Sequence, residues 1–527
     1  MIDHSSCLGK KIKIKGCLVI SVHYGDLSDG LGRLAEFRRE FYRCLNARRD
    51  ALFELTDALL CGDAPVRSLV ELSLVGEHRR GHGSLYAALS RGRIDVERLK
   101  TAIAAVPVPR AADGRIVLAV DVTCWLRPEA HTSPDRVLCH TYGRGKDTHI
   151  MIPGWPYSLV TALEAGRTSW TAPLDIRRLA PGEDTATITA TQLREVVQRL
   201  ISAGQWQPGD PDIWIVADAG YDGPRLAFLL ADLPVHLLVR MRSDRVLHRR
   251  APSEPTGNGR PPRHGGEFIF RDPASWDTPD TATVTDTRLY GAATARSWNA
   301  LHPRLTHRTA WSSHTGTLPI IEGTVILLTV DRLPSGATAK PVWLWWSQPT
   351  TTETEATLLW QAFLRRFDIE HTFRMLKQTL GWTSPKLRDP QAGDRWTWLV
   401  LAAYTQTTPR PRRRRRPTPA LGTPHPSKPT HTRPCPARVP APARQSRQPR
   451  HRTETLPTRT RTATRPAQPP SRHPPPRPHR DQHTTSQQHE KIEEIDYPEA
   501  TPHRLKLKLA AALCSASIRA SHERPFK

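Results

Sequence analysis

Three carboxylates of this chain stand where phosphoryl chemistry would need them. Asp121 closes the apolar run GRIVLAVDVT (114–123), and Asp218 closes PDIWIVADAGYDG (211–223). Glu370 lies inside FLRRFDIEHTFRMLKQTLGW (363–382). Hard divalent cations take oxygen ligands. Two such ions a few ångströms apart activate a water or a 3′-hydroxyl and stabilise the leaving oxygen of an in-line displacement at phosphorus. A single carboxylate at a strand end is most often a turn or cap residue. Three of them, from two strands and a helix, make a candidate ligand set for a pair of Mg2+ or Mn2+ ions.

The residues around Glu370 sharpen this reading. Were 363–382 one helix at roughly 100° per residue, Phe363, Arg366, Glu370 and Lys377 would fall within an arc of about 60°. Ala362, Ile369, Phe373, Leu376 and Leu380 would form an apolar arc beside it. One stripe then enters a core while its neighbour faces a cleft, with cations flanking a carboxylate. Surface ion pairing with Glu370 is the plain alternative for Arg366 and Lys377. Asp368 falls outside the trio, and Asp222 reads as a helix cap.

Elements must hold these residues in place. Apolar spacing of three to four over 30–106 predicts a small basic helical domain. Short β-rich runs follow at 114–123, 136–142, 149–155, 211–223 (running into an Asp-Ala-Gly turn) and 234–240, with helices at 189–204 and near 224–232. Together they describe a mixed α/β sheet. Residues 241–346 are rich in Pro, Gly and Thr with short β-like runs such as GEFIF and GTVILLTV, and read as a β-rich insertion. The helical pattern resumes over 353–380 and again in WTWLVLAAYTQ (396–406). One tryptophan of VWLWW (342–346) is a candidate for stacking on an unpaired base, core packing being the simpler role. Arg144 and Lys146 in the loop GRGKD (143–147) are candidate phosphate contacts or parts of a plain connection.

The 527 residues carry a formal net charge of +25, unevenly spread. Residues 407–527 hold 26 Lys+Arg against 8 Asp+Glu, so only +7 belongs to residues 1–406. A polyanionic partner, DNA, is expected. The eight cysteines include no CxxC pair, and Cys124, His131, Cys139 and His140 match no standard zinc spacing. No segment approaches the ~20 apolar residues that span a bilayer, and CLVISV near the start is too short for a signal peptide. A cytoplasmic, nucleoid-associated protein is expected.

The two ordered aspartates and the pattern Phe363-x2-Arg366-x3-Glu370-x6-Lys377 resemble the DDE transposases of bacterial insertion sequences. The subgroup resembled is marked by Y-x2-R-x3-E-x6-K, and the likeness runs over roughly 30–406. It implies a ribonuclease-H-like catalytic fold interrupted by a β-rich insertion. It implies Asp121, Asp218 and Glu370 as catalytic ligands of two Mg2+ or Mn2+ ions, with Phe363, Arg366 and Lys377 as DNA contacts. It also implies terminal inverted repeats and target DNA as substrates and a homodimer on paired ends. Phe363 departs from the subgroup's tyrosine and lacks its hydroxyl.

The expected division is a leader (1–28), a helical DNA-binding domain (29–108), the catalytic core in two parts (109–240 and 347–406) split by the insertion (241–346), and a tail (407–527). In the tail, residues 407–480 hold 20 prolines and a single acidic residue, Glu454. Such a composition cannot offset its ordering entropy. A disordered basic arm that raises DNA affinity is one reading; a slipped reading frame after residue 406 is the other. With the latter, an inactive DNA-binding remnant stands as an alternative function, as does a ribonuclease-H-like nuclease of another kind.

Overall fold

The computed structural model describes residues 24–407, apart from 82, 143–148, 166–167, 253–260, 313, 334–335 and 337. The expected leader up to residue 23, the loop cations Arg144 and Lys146, and the tail lie outside the described residues.

Helices come first, as the spacing of apolar residues demands. They are α1 (Tyr24–Cys44), α2 (Arg49–Cys61), α3 (Leu69–Leu72), α4 (Gly83–Arg91) and α5 (Val96–Ala104). The short strands β1 (Leu45–Ala47) and β2 (Arg93–Ile94) pair between them. Residues 24–28, assigned to the leader from sequence, are the first turn of α1.

The α/β part follows with β3 (Val117–Leu126), β4 (Val137–Tyr142), β5 (His149–Leu163), β6 (Thr171–Arg178), α6 (Thr185–Ser202), β7 (Ile213–Ala217), α7 (Gly223–Leu229) and β8 (Val235–Met241). Next are β9 (Val246–His248), β10 (Glu267–Ile269), β11 (Thr281–Thr287), β12 (Gly291–Leu301), β13 (Gly323–Val330) and β14 (Val342–Trp346). The chain closes with α8 (Glu353–Arg365), α9 (Asp368–Arg374) and α10 (Pro390–Thr407).

One ten-stranded sheet organises the molecule, in the order β11-β12-β13-β14-β8-β7-β3-β5-β4, with β6 also on β5. Within it, β6-β5-β3 are antiparallel neighbours, while β7 and β8 run parallel to β3. This is the ribonuclease-H-like arrangement. The segment expected as an insertion does not leave the sheet. Its strand β14 pairs antiparallel with β8, and β13, β12 and β11 extend the edge.

Alternation in the added strands serves two cores. Ile326, Leu328, Leu344 and Trp346 face the main core, while Val325, Leu327, Trp343 and Trp345 face a second one with Phe268, Phe270 and Trp298. That is the period of two expected of strands covered on both faces. All three tryptophans of VWLWW are buried, so packing is their role.

The N-terminal helices do not form a core of their own. Phe37, Leu55, Leu85 and Leu99 belong to the same buried cluster as the sheet and α10. Polar bonds fasten the join. Arg38 Nη1 donates to Asp57 Oδ1 (2.7 Å) and to Gln406 Oε1 (2.6 Å). Arg395 donates to the backbone carbonyls of Leu89 and Ser90 at the end of α4.

Candidate active site

Two adjacent parallel strands bring the aspartates together. Val117–Ala119 pair with Trp214–Val216 in parallel register. Carried two residues further, that register brings Asp121 of β3 level with Asp218, the residue just past the end of β7. The sequence placed Asp121 at a strand end. In the structure β3 runs on to Leu126 because its other neighbour, β5, stays paired through Leu126 and Gly154. It is β7 that stops, at Ala217. There Asp218 Oδ1 accepts from the Gly220 amide (2.9 Å), and Asp222, as expected, caps α7 by accepting from Arg225 N.

The third carboxylate comes from a helix that is not continuous. α8 is capped by Thr352, whose side chain accepts from Glu355 N, and ends at Arg365. After a turn at Arg366 and Phe367, α9 begins at Asp368 and widens into a π-helical turn over Met375–Thr379. Gly381, at φ +63°, ends the segment, with Trp382 N donating back to Leu376 O (2.8 Å). A single 100° rotation per residue therefore does not describe 363–382.

The four residues that the sequence set on one arc differ in exposure. Phe363 is fully buried, its ring 6.0 Å from that of Phe367. Its expected DNA contact is corrected to a packing role, since the ring presents no surface to a ligand. Arg366, just past the end of α8, is 5% exposed. Its Nη1 donates to Asp121 Oδ2 at 3.0 Å, and its Nε has no hydrogen-bond partner. Glu370 is exposed, and Lys377 is half-buried in the π-helical turn. Asp368, outside the trio as expected, pairs with Arg365 (2.8 Å), and burial raises its carboxyl to about 6.

Electrostatics tie the three carboxylates into one cluster. Burial pushes the Asp121 carboxyl up, the Arg366 guanidinium pulls it down, and the charges of Asp218 and Glu370 push it up again, to about 7. Like charges sharing a site act in this way. Lys377 has its ammonium lowered by burial, partly offset by Cys124 and Glu370, so it stands within reach of the same field.

The donor set suits a hard divalent ion in kind: three carboxylates, mutually repelling, on a sheet rim and a helix. It is not closed into a cage. Among the described residues no group of three or more His, Cys, Asp or Glu side chains is arranged to hold a metal ion. Both Asp121 oxygens are already engaged, Oδ1 by the Val122 amide (2.7 Å) and Oδ2 by Arg366.

Sequence reasoning overlooked Tyr221. Its buried hydroxyl lies near Ser158 and feels the charges of Asp121, Asp218 and Arg366. The signal lay in the residues themselves, since Tyr221 follows Asp218 by three positions in VADAGYDG.

The family model for DDE superfamily endonucleases matches residues 40–304, half of the chain. The chain belongs to the DDE superfamily of endonucleases. The match includes Asp121 and Asp218 and ends before the helix of Glu370. No curated protein matches the sequence. A DDE endonuclease acts on DNA, so the acidic cluster lies on an enzyme whose substrate is polyanionic. Among the described residues no helix is long and apolar enough to cross a membrane.

Proposed function

We propose that this DDE endonuclease is a transposase that excises and inserts its own DNA element by metal-dependent phosphoryl transfer. The observation that carries the reading is the parallel register of β3 and β7, which brings Asp121 and Asp218 together at the end of β7. In this reading Asp121, Asp218 and Glu370 hold two Mg2+ or Mn2+ ions. When bound, the ions lower the pKa of a water or 3′-hydroxyl and offset charge on the leaving oxygen. The protein's own task is placement. In it β3 and the end of β7 carry the aspartates, and α9 carries Glu370. Lys377 sits beside Glu370 to meet a backbone phosphate, and Arg366 is the second candidate for such a contact.

The finer parts belong to the same proposal. They are terminal inverted repeats as the recognised ends, a homodimer on paired ends, and work at the nucleoid. Exposed arginines of the N-terminal helices that make no ion pair among the described residues, such as Arg33, Arg39 and Arg91, suit backbone contact.

The test is cleavage of a duplex carrying the inverted repeats that flank the gene, with Mg2+ or Mn2+. Wild type is expected to cut at the 3′ ends, and Glu370→Gln to bind without cutting. Cutting independent of the repeats would favour a nuclease of another kind. Binding without cutting by both proteins would favour an inactive remnant.

A further inference from the structure

We propose that Arg366 is a latch on the catalytic centre, opened by DNA. The inference rests on the assignment of Asp121 as a metal ligand. In the DNA-free chain the guanidinium, rather than facing outward, lies buried and hydrogen-bonded to Asp121 Oδ2 at 3.0 Å. The Val122 amide holds the other oxygen at 2.7 Å. Asp121 therefore has an internal counter-cation, and each of its oxygens already accepts one hydrogen bond. A divalent ion at this carboxylate competes with the guanidinium for its charge, and a displaced guanidinium needs another anion.

A DNA phosphate is the anion the substrate brings. Guanidinium binds phosphate as well as it binds carboxylate, in the same forked geometry. The chain is built for the exchange. Arg366 sits in the turn between α8 and α9 and not within a continuous helix. Its Nε is without a partner, so a new acceptor would satisfy a donor that the Asp121 pair leaves idle. Phosphate takes Arg366, Asp121 is released to the ion, and each ligand raises the affinity for the other. Such coupling is reciprocal by necessity.

Mn2+ binding to the DNA-free full chain tests this without any cutting. Breaking a charged hydrogen bond of this kind is expected to raise Mn2+ affinity of Arg366→Gln about tenfold over wild type. The reverse arm uses a mixed-sequence duplex in EDTA. Asp121→Asn frees Arg366 and is expected to bind the duplex more tightly than wild type. It should also bind more tightly than Glu370→Gln, which removes one negative charge without touching the pair. Thermal melts show that each variant is folded, and wild type alone supplies a further check, since Ca2+ should tighten its grip on the duplex.

Equal Mn2+ affinity for Arg366→Gln and wild type, or equal gains for Asp121→Asn and Glu370→Gln, would overturn the latch. If neither carboxylate variant weakens Mn2+ binding, the ligand assignment itself falls. Loss of Mn2+ by both, with Arg366→Gln unchanged, sinks the latch alone.

Discussion

Asp121 concentrates the chemistry of this chain. Its carboxyl is pushed up to about 7, first by burial and then by Asp218 and Glu370 against the pull of Arg366. Protons therefore compete with a cation for it near neutrality. The sign follows directly: below about 7 the acid is protonated and a poor ligand, above it the carboxylate is free to coordinate. Mn2+ affinity of the DNA-free protein is expected to fall as pH drops through 7, where an ordinary aspartate would hold it down to about 4. A pH series of Mn2+ titrations checks this, and a flat profile between pH 6 and 8 would contradict it. The identities of the three carboxylates were legible in the sequence, because strand-end aspartates and a flanked glutamate leave a local pattern. The Asp121–Arg366 pair was not, since it joins residues 245 positions apart and no local period records it. Phe363 misled for a related reason: the spacing along its helix does not record that Phe367 and Arg366 pack over its ring.

The elements that carry the site were legible to different degrees. IWIVA and VLAV announce buried strands by unbroken apolar runs, and β7 and β3 are where those runs lie. β6 went unread because TAPLDIRR mixes a proline and charges into a strand buried by its neighbours. The break after α8 was hidden because apolar residues keep a helical spacing straight across it. The far end of this segment is set by a glycine. Gly381 has φ +63°, and a Cβ placed there would lie 2.4 Å from the Val66 carbonyl oxygen. Both strain and overlap oppose any larger residue. Gly381→Ala is expected to destabilise the protein by roughly 2–4 kcal/mol, read as a lower urea midpoint. Loss of less than about half a kcal/mol, the size of an ordinary surface change, would show that the contact with Val66 relaxes freely.

At the scale of the molecule, the division drawn from sequence gives way to continuity. The expected DNA-binding domain shares its core with the catalytic sheet, and the expected insertion is the sheet's own edge. Composition marked both boundaries because helices give way to strands at the first and prolines cluster at the second. Neither change tells whether a core is shared. The last described helix is the keystone of the join. Tyr404 is buried with its ring stacked 4.6 Å from Trp170, and Gln406 takes a hydrogen bond from Arg38. A chain ending at residue 399 is accordingly expected to lose the cooperative unfolding that one ending at 407 keeps. Circular dichroism melts of the two decide it, and equal stability of both would mean that the join holds without the end of α10.

The seating of α10 also orders events in time. Synthesis delivers α1, α2 and α4 hundreds of residues before the helix that covers them, so their apolar faces wait uncovered while the sheet is made. Contacts this distant in sequence are slow to form and leave intermediates exposed. A translation product interrupted before α10 would leave Phe37, Leu55 and Leu85 without the helix that completes their cluster, so that the last helix made is the one that closes the first.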